Sequence, residues 1–175
     1  MLKKFGIVKN VTQLFNMEIK HPIEKIVVNI GIGKLTQRAQ FKDKILPEVI
    51  KELSIITGQK PAPRQAKKPI ANFKTRTGDT IGLQVTLRGT RMEDFFKKLI
   101  HIALPRVKDF RGISIDHIDE HGNLNIGFRE QYVFPEINID HSTVNFGLQV
   151  TIVPKIKNRV KAVDFYKSSG VPLKK

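Results

Sequence analysis

The residues of this chain best suited to do chemistry are the bases of one short segment. Between Lys60 and Arg76 there are six basic side chains and no acidic one, and three prolines interrupt the run. Proline disrupts both a helix interior and the ladder of a central strand, so the segment fits neither. Charge of one sign at this density repels itself, and the partner that offsets the repulsion is usually a polyanion, either nucleic acid or an anionic membrane.

The charge of the whole chain indicates the same class of partner. The 175 residues include 31 Lys and Arg but only 16 Asp and Glu, which gives a net charge of +15. Residues 1–59 hold ten bases and five acids, residues 60–91 eight and one, residues 92–153 six and nine, and residues 154–175 seven and one. Because the charge is clustered, we favour a polyanion-binding surface over a basic surface that only keeps the protein soluble.

The composition argues against several other classes of protein. The chain has no cysteine, so it contains neither disulfides nor thiolate metal sites. No run approaches the roughly 20 apolar residues that a membrane-spanning helix needs. The opening residues, "MLKKFGIVKNVTQ", lack the long apolar stretch of a secretory signal, although they are compatible with a transit peptide that has already been removed.

The apolar pattern predicts the elements that would position the basic and polar side chains. Strands with one buried face are predicted over residues 25–32, 81–88, 123–128 and 144–153. Helices are predicted over residues 40–56, from Thr90 to Pro105, and more weakly over residues 157–169.

Two local features qualify the predicted helices. Pro47 either kinks the first helix or marks the first turn of a shorter one, and Gly58 is its predicted stop. Thr90 and Glu93 have the spacing of a capping box. We predict one α+β domain over residues 1–175, with a mostly antiparallel sheet that carries helices on one face and leaves the other face open.

The predicted strands place polar side chains on the face opposite their apolar one. These are Asn29, Gln84, Thr86, Arg88, Asn145, Gln149 and Thr151. Such groups can bind ribose hydroxyls, phosphates and exposed base edges, and the alternative is an ordinary solvated sheet face. The set lacks the aromatic residues of a single-strand stacking platform, so a bound RNA would be folded and mainly double-helical.

Two motifs could indicate an enzyme, and both are incomplete. "NIGIGK", residues 29–34, places Gly-x-Gly after a strand, but Thr36 stands where a dinucleotide fingerprint needs a third glycine, and Leu35 where a P-loop needs Ser or Thr. "HIDEH", residues 117–121, has two histidines four apart that a helix could present to a metal, but the flanking glycines favour a solvated loop. We predict no catalytic residue, no cofactor and no metal.

Several long motifs together resemble one known family. They are "EKIVVNIGIGK", "TGQKP", "AKKPIANFKTRTGDTIG", "VTLRGTRMEDFFKKLIHIALPRVKDFRGIS" and "FREQYVFPEI". Their order and spacing, from about Ile23 to Val153, are similar to those of the bacterial-type large-subunit ribosomal protein L-five family, whose members bind 5S ribosomal RNA in the central protuberance. The resemblance implies a non-enzymatic structural protein with a curved antiparallel sheet and helices packed on one side.

The resemblance also implies which residues bind RNA. Family contacts with 5S ribosomal RNA correspond here to Lys25, Asn29, Gln59 and Thr86, and two of these, Asn29 and Thr86, already belong to the predicted polar face. Nearby bases complete the candidate set for ribosomal RNA binding: Lys60, Arg64, Lys67, Lys68 and Arg88.

Two further surfaces follow from the resemblance. A basic family loop that reaches toward the elbow of the P-site transfer RNA corresponds to residues 70–80. Its candidate contact residues are Asn72, Phe73, Lys74, Thr75 and Arg76. The acidic middle of the chain includes "FPEINID", near which the family implies an intersubunit bridge to the basic small-subunit protein S-thirteen, a partner of suitable charge. Large-subunit ribosomal RNA and neighbouring large-subunit proteins are further implied partners, and no membrane is.

The chain departs from the family pattern at both ends. Its opening segment is shorter, and residues 154–175 form a basic helix and tail where a more acidic helix is expected, which could add a ribosomal RNA contact. A short, strongly basic version favours a ribosome of the mitochondrial matrix, with the bacterial cytoplasm or another organelle as alternatives. Two competing functions stay open: a free-standing RNA-binding regulator or RNA chaperone, and a metalloenzyme that uses "HIDEH".

Overall fold

Five strands form one sheet in the computed structural model, which describes residues 23–38, 40–71 and 75–174. The strands are β1 (Ile23–Gly31), β2 (Ala62–Gln65), β3 (Thr80–Leu87), β4 (Leu124–Phe128) and β5 (Leu148–Pro154). Their order across the sheet is β2-β3-β1-β5-β4, and every neighbouring pair is antiparallel. The predicted α+β class, with an antiparallel sheet, is confirmed.

Three α-helices and several short helical turns complete the described fold. The α-helices are α1 (Leu46–Thr57), α2 (Thr90–Lys98) and α3 (Arg159–Ser168). A π-helical turn, Phe41–Ile45, leads into α1, and another, Leu99–Ala103, follows α2. The 3₁₀ turns are Leu35–Gln37, Leu104–Arg106, Ile115–His117, Gln131–Val133 and Ile139–His141.

Alternating burial along the central strands separates the core from the open face of the sheet. In β1, Ile26 and Val28 are fully buried, whereas Val27 and Asn29, which alternate with them, are half-buried. The apolar side chains of β3, β4 and β5 join the same core as the buried faces of all three helices. Helices therefore cover one side of the sheet, as the sequence predicts, and the polar positions face the other side.

Helix boundaries follow the local backbone chemistry. Pro47 lies in the first turn of α1, directly after the π-helical turn, so the second of the two predictions for Pro47 is confirmed. Gly58 ends this helix in the left-handed conformation at φ 66°, as predicted. The predicted capping box is wrong, because Gly89 is the N-cap of α2 and Thr90 is already helical.

The sheet differs from the predicted strands at two places. β2 was not predicted as a strand, since Pro63 argues against one, but β2 is an edge strand and an edge tolerates a missing N–H. β5 begins at Leu148, four residues later than predicted, because the Phe146 N–H donates to the buried side-chain carbonyl of Gln131 instead of joining the ladder.

Candidate nucleic-acid interface

Antiparallel register places the polar side chains of neighbouring strands in rows across the open face. The first row is Gln84, Asn29 and Gln149. The second row is Thr86, Val27, Thr151 and Asn125. Directly opposite residues in antiparallel strands have their Cβ atoms about 4.5 to 5.5 Å apart, so the first row forms a continuous strip of amide groups. In the second row Val27 separates the Thr86 hydroxyl from the Thr151 and Asn125 pair. The predicted polar face thus exists as one surface, which we call the open face.

Two predicted members of this face lie outside the rows, Arg88, which follows the last residue of β3, and Asn145. Asn145 is exposed but precedes the first residue of β5, so it occupies no ladder position and does not extend the rows. Asn125 of β4, by contrast, is part of the second row and was not singled out from the sequence. Its alternation with Leu124 and Ile126 is a signal that could have identified it.

The β4–β5 half of the open face is held by its own hydrogen bonds. The Asn125 Oδ1 atom accepts a bond of 2.7 Å from the Thr151 hydroxyl and one of 3.3 Å from the Gln149 side-chain amide. These bonds fix the orientation of three polar side chains before any partner arrives. A surface ordered in advance loses less conformational entropy on binding.

The β2 edge brings a basic side chain to the first polar row. Arg64 lies opposite Gly82 of β3, on the open-face side of the sheet. Its Nε–H donates to the Gln84 Oε1 atom at 2.7 Å, and Nη2 donates to the same oxygen. Arg64 remains exposed, so its guanidinium keeps donors free for phosphate oxygens beside the row.

Gln59 and Thr86 meet at the end of the second row. The Gln59 Nε2 atom donates to the Thr86 backbone carbonyl at 3.3 Å, and the Gln59 N–H donates to the Thr57 hydroxyl at 3.4 Å. Lys60 follows Gln59, Arg88 follows two residues after Thr86, and both are exposed. The structure therefore brings these four predicted residues to one corner of the sheet.

Lys25 shares the open side of β1 with Asn29 and is half-buried. Its ammonium lies 3.4 Å from a Glu24 carboxylate oxygen, and the neighbouring Lys25 charge is the main reason that the pKa of Glu24 is lowered. Exposed pairs of this kind contribute little, so the ammonium can exchange this carboxylate for a phosphate.

Residues 66–71 and 75–79 extend the β2–β3 edge into a two-stranded ribbon. The Ala66 N–H donates to the Asp79 carbonyl at 2.8 Å, and Ile70 and Thr75 exchange two backbone bonds of 3.1 and 3.2 Å. Lys67, Lys68 and Arg76 are exposed along it. The predicted contact residues at the tip, Asn72, Phe73 and Lys74, lie outside the described residues, whereas Thr75 and Arg76 lie within them.

Two family models match this chain. One, described as ribosomal protein L5, matches residues 18–76, and the other, the ribosomal L5 family C-terminus, matches residues 80–173. The chain belongs to the ribosomal protein L5 family. The two matched regions meet in the ribbon, so the L5 family match takes in every strand and α-helix described above.

Individual relatives agree with the L5 family assignment. The large ribosomal subunit protein uL5 of Acholeplasma laidlawii is 46% identical over 153 residues, which is 87% of this chain and 83% of the relative. That of Halothermothrix orenii is 45% identical over 150 residues, 86% of this chain and 82% of the relative. That of Pseudothermotoga lettingae is 46% identical over 153 residues, 87% and 81% respectively. These relatives are bacterial and give the mitochondrial prediction no support.

The L5 family assignment decides between the broad classes of function. The chain is a structural, non-enzymatic protein of the large ribosomal subunit, with ribosomal RNA and ribosomal proteins as its partners. Within the described residues, none of the helices has the length and apolar character to cross a bilayer.

The "HIDEH" segment is a solvated turn in this L5 family fold. His117 ends a 3₁₀ turn and His121 lies in the next turn, and both are exposed. Asp119 between them accepts the N–H of Asn123 at 2.8 Å and its side-chain amide at 2.7 Å. In the part of the chain that the structure describes, no three His, Asp or Glu side chains come together as a metal site requires. The loop interpretation of this motif is confirmed.

Proposed function

We propose that this chain binds 5S ribosomal RNA in the central protuberance of the large subunit through the open face of its sheet. The observation that carries the proposal is the meeting of neutral polar rows with basic side chains along one edge. Asn29 and Gln84 lie in a row that Arg64 borders, and Thr86 lies in a row that ends at Gln59. Lys60, Lys67, Lys68 and Arg88 continue the basic edge, and Lys25 adds a base on β1.

The chemistry of the open face fits a double-helical RNA. An A-form helix presents 2′-hydroxyls and base edges in a wide, shallow minor groove, flanked by phosphates. Amide and hydroxyl side chains can bind the ribose hydroxyls, while bases at the rim bind phosphates and supply much of the affinity. The face has no aromatic side chain in its two rows, which disfavours binding of unpaired, stacked bases.

The ribbon supports a second proposed contact, with the P-site transfer RNA. Two backbone bonds between Ile70 and Thr75 continue the ribbon beyond β2 and the start of β3, and Arg76 is exposed next to Thr75. A projecting basic element of this kind can contact the backbone of an RNA that does not touch the sheet. Asn72, Phe73, Lys74 and Thr75 are the remaining proposed contacts.

A third proposed contact is the intersubunit bridge to protein S-thirteen. Glu130, Glu136 and Asp140 are exposed along the segment that joins β4 to β5. Opposite charge on a basic partner would favour encounter with this segment and fix its orientation.

The salt dependence of binding tests the proposed 5S ribosomal RNA contact. We expect the full chain to bind folded 5S ribosomal RNA more tightly than a transfer RNA of similar charge density. In a plot of log K against log salt concentration, the double variant Lys67→Ala plus Lys68→Ala should have a slope smaller in magnitude by roughly 1.4 to 1.8. The reason is that each lost phosphate contact removes about 0.7 to 0.9 from that slope. The measurement is fluorescence anisotropy at several salt concentrations.

A matched variant controls for net charge. Lys97→Ala plus Lys108→Ala removes the same charge from two exposed positions of the acidic middle, and its slope should stay near that of the wild type. An unchanged slope for the Lys67 and Lys68 variant would count against those lysines as phosphate contacts.

A free-standing RNA regulator with the same sheet is the competing function. Sedimentation separates the two, because a ribosomal protein travels with large subunits at moderate salt and a regulator does not. The same fractionation, applied to purified organelles and to bacterial cytoplasm, tests the mitochondrial prediction.

A further inference from the structure

The C-terminal helix and tail carry a dense basic surface that the proposed 5S RNA contact does not use. Residues 154–175 hold seven bases and one acid, Asp164. Its exposed bases within the described residues are Lys155, Lys157, Arg159, Lys161, Lys167 and Lys174. We call the five from Lys155 to Lys167 the C-terminal basic face.

This face is built on a fixed part of the fold. Ala162 and Tyr166 of α3 are fully buried, and the Tyr166 hydroxyl donates to the Gly122 carbonyl at 2.9 Å. Backbone hydrogen bonds hold the tail after α3 as well. The Ile113 N–H donates to the Pro172 carbonyl, and the Lys174 N–H donates to the Ile113 carbonyl, both at 2.8 Å. The backbone that carries Lys161 and Lys167 is therefore held by the core, so binding costs little backbone ordering entropy there.

Several of the basic side chains lie near the N-terminus of α3, where the helix dipole disfavours positive charge. A helix N-terminus carries partial positive charge and favours acids, yet the first turn of α3 has no acidic residue and follows Lys155 and Lys157. An arrangement unfavourable within the free protein indicates that its compensating charge comes from a partner.

Few of these charges are neutralised by the protein itself. Lys157 lies 3.5 Å from Glu24, and Arg159 lies 3.8 Å from Asp116 and donates to the Ile115 carbonyl at 3.3 Å. The ammonium groups of Lys155, Lys161 and Lys167 make no ion pair or hydrogen bond with any residue among those described.

The α3 part of the C-terminal basic face points away from the open face, whereas Lys157 shares the Glu24 carboxylate with Lys25 of β1. Ala162 and Tyr166 belong to the core that lies on the helix-covered side of the sheet. The opposite side of α3, which carries Val160, Lys161 and Lys167, therefore faces solvent beyond the helix layer. One RNA helix on the open face leaves this side of α3 uncovered.

We propose that the C-terminal basic face is a second RNA-binding surface, which docks the sugar-phosphate backbone of a double-helical ribosomal RNA segment other than the 5S RNA. The proposal rests on the proposed function, because it requires the open face to be occupied by 5S RNA. The protein would then connect two RNA elements from opposite sides of its fold.

The composition of the face favours RNA over the other anionic partners. Protein interfaces are depleted in lysine and enriched in aromatic residues, but this face has four lysines and no exposed aromatic side chain. Peripheral membrane helices bury a continuous apolar face in the lipid, whereas the exposed side of α3 offers only Val160, which is 71% exposed. Several lysines clustered on one surface are typical of contact with a phosphate backbone.

A capture experiment tests the second surface separately from the first. Full-length protein is first saturated with folded 5S ribosomal RNA, and a labelled, mixed-sequence RNA duplex is then added. We expect the wild-type complex to capture the duplex. The triple variant Lys155→Gln, Lys161→Gln and Lys167→Gln should bind 5S RNA normally but capture the duplex roughly tenfold more weakly, with a salt slope lower by about 2 to 3.

The control variant Lys51→Gln, Lys97→Gln and Lys108→Gln has the same net charge, with all three changes at exposed positions outside the face. Equal capture by both triple variants overturns the proposal, as does cross-linking of Lys161 to a ribosomal protein instead of RNA in assembled subunits. Binding of α3 to phosphatidylserine vesicles without duplex capture also overturns it. Failure of the wild type to bind 5S RNA contradicts the proposed function instead, and is visible at the first step.

Discussion

Asn29 occupies the central position of the open face. Its register partners are Gln84 on one side and Gln149 on the other, and its side chain is half-buried on the side away from the core. The sequence could predict this orientation, because Asn29 alternates with Val28 and Ile30. It could not predict the two neighbours, since pairing register depends on residues more than 50 positions away.

The variant Asn29→Ala should bind 5S ribosomal RNA about tenfold more weakly, because one hydrogen bond to ribose or base is lost at a net value of roughly 1 to 1.5 kcal/mol. Its thermal unfolding transition should be unchanged, since the side chain makes no core contact. Isothermal titration calorimetry and circular dichroism measure the two quantities.

Asn145→Ala is the matched control for that variant, because Asn145 is exposed and lies outside the sheet. It should leave both RNA affinity and stability unchanged. Loss of the thermal transition in Asn29→Ala would instead make Asn29 a structural residue.

Gln131 was missed by sequence reasoning, although it is fully buried. Its side-chain amide donates to the Val144 carbonyl at 2.7 Å and accepts the Phe146 N–H at 3.0 Å, and it lies 3.4 Å from the Glu52 carboxylate. These bonds join α1 to the acidic segment between β4 and β5. A buried polar side chain has no signature in a single sequence when its partners come from distant elements.

The Glu52 carboxyl next to this amide makes the free energy of unfolding depend on pH. Burial raises the pKa of the Glu52 carboxyl above its ordinary value of 4.5, and the nearby Glu48 charge adds to the rise. The folded state therefore holds the proton more tightly than the unfolded state. The stability from this group is present below the unfolded pKa and is lost as the pH rises through the folded pKa.

Relative to Glu52→Gln, the wild type should lose unfolding free energy as the pH rises from 4.5 to neutrality. Urea denaturation at several pH values, on both proteins, measures the difference. A difference that stays constant over this range, or one that grows in favour of the wild type, would contradict the raised pKa.

At the scale of elements, the strongly periodic segments were predicted well. β1, β3 and β4 lie within a residue or two of their predicted bounds, because each alternates apolar and polar side chains against a single core. The weak helix over residues 157–169 is present as α3, Arg159–Ser168. The π-helical turns beside α1 and α2 leave the apolar spacing almost unchanged, so the sequence pattern does not distinguish them from α-helix.

β2 and the ribbon were harder to predict, because their extended conformation depends on pairing with a neighbouring strand. Pro61 and Pro63 weaken a strand prediction, and pairing with β3 is what makes Ala62–Gln65 extended. The basic residues of the segment can be read from the sequence, but only the pairing shows that Arg64 reaches Gln84 on the open face.

The ribbon can be tested apart from the sheet. The double variant Lys74→Ala plus Arg76→Ala should weaken protection of the P-site transfer RNA elbow several-fold in ribosomes, since two cationic side chains near the tip are removed. Chemical footprinting of the transfer RNA measures this. Affinity for 5S ribosomal RNA should stay within about twofold, since neither residue belongs to the open face; a large loss of that affinity would show that the ribbon binds 5S RNA instead.

At the scale of the whole molecule, the charge separates into regions that the fold directs outward in different directions. The basic edge borders the open face, the C-terminal basic face lies beyond the helix layer, and the acidic segment joins β4 to β5. The amounts of charge follow from the sequence alone. Their directions do not, because they depend on the strand order β2-β3-β1-β5-β4.

An electron cryomicroscopy map of the large ribosomal subunit that contains this chain tests the proposed function most directly. The expected result is 5S ribosomal RNA against the open face, with a helix groove over Asn29 and Thr86 and phosphates beside Arg64. A map in which the open face is bare, or is covered by another protein while the 5S RNA contacts the helix layer, would contradict it.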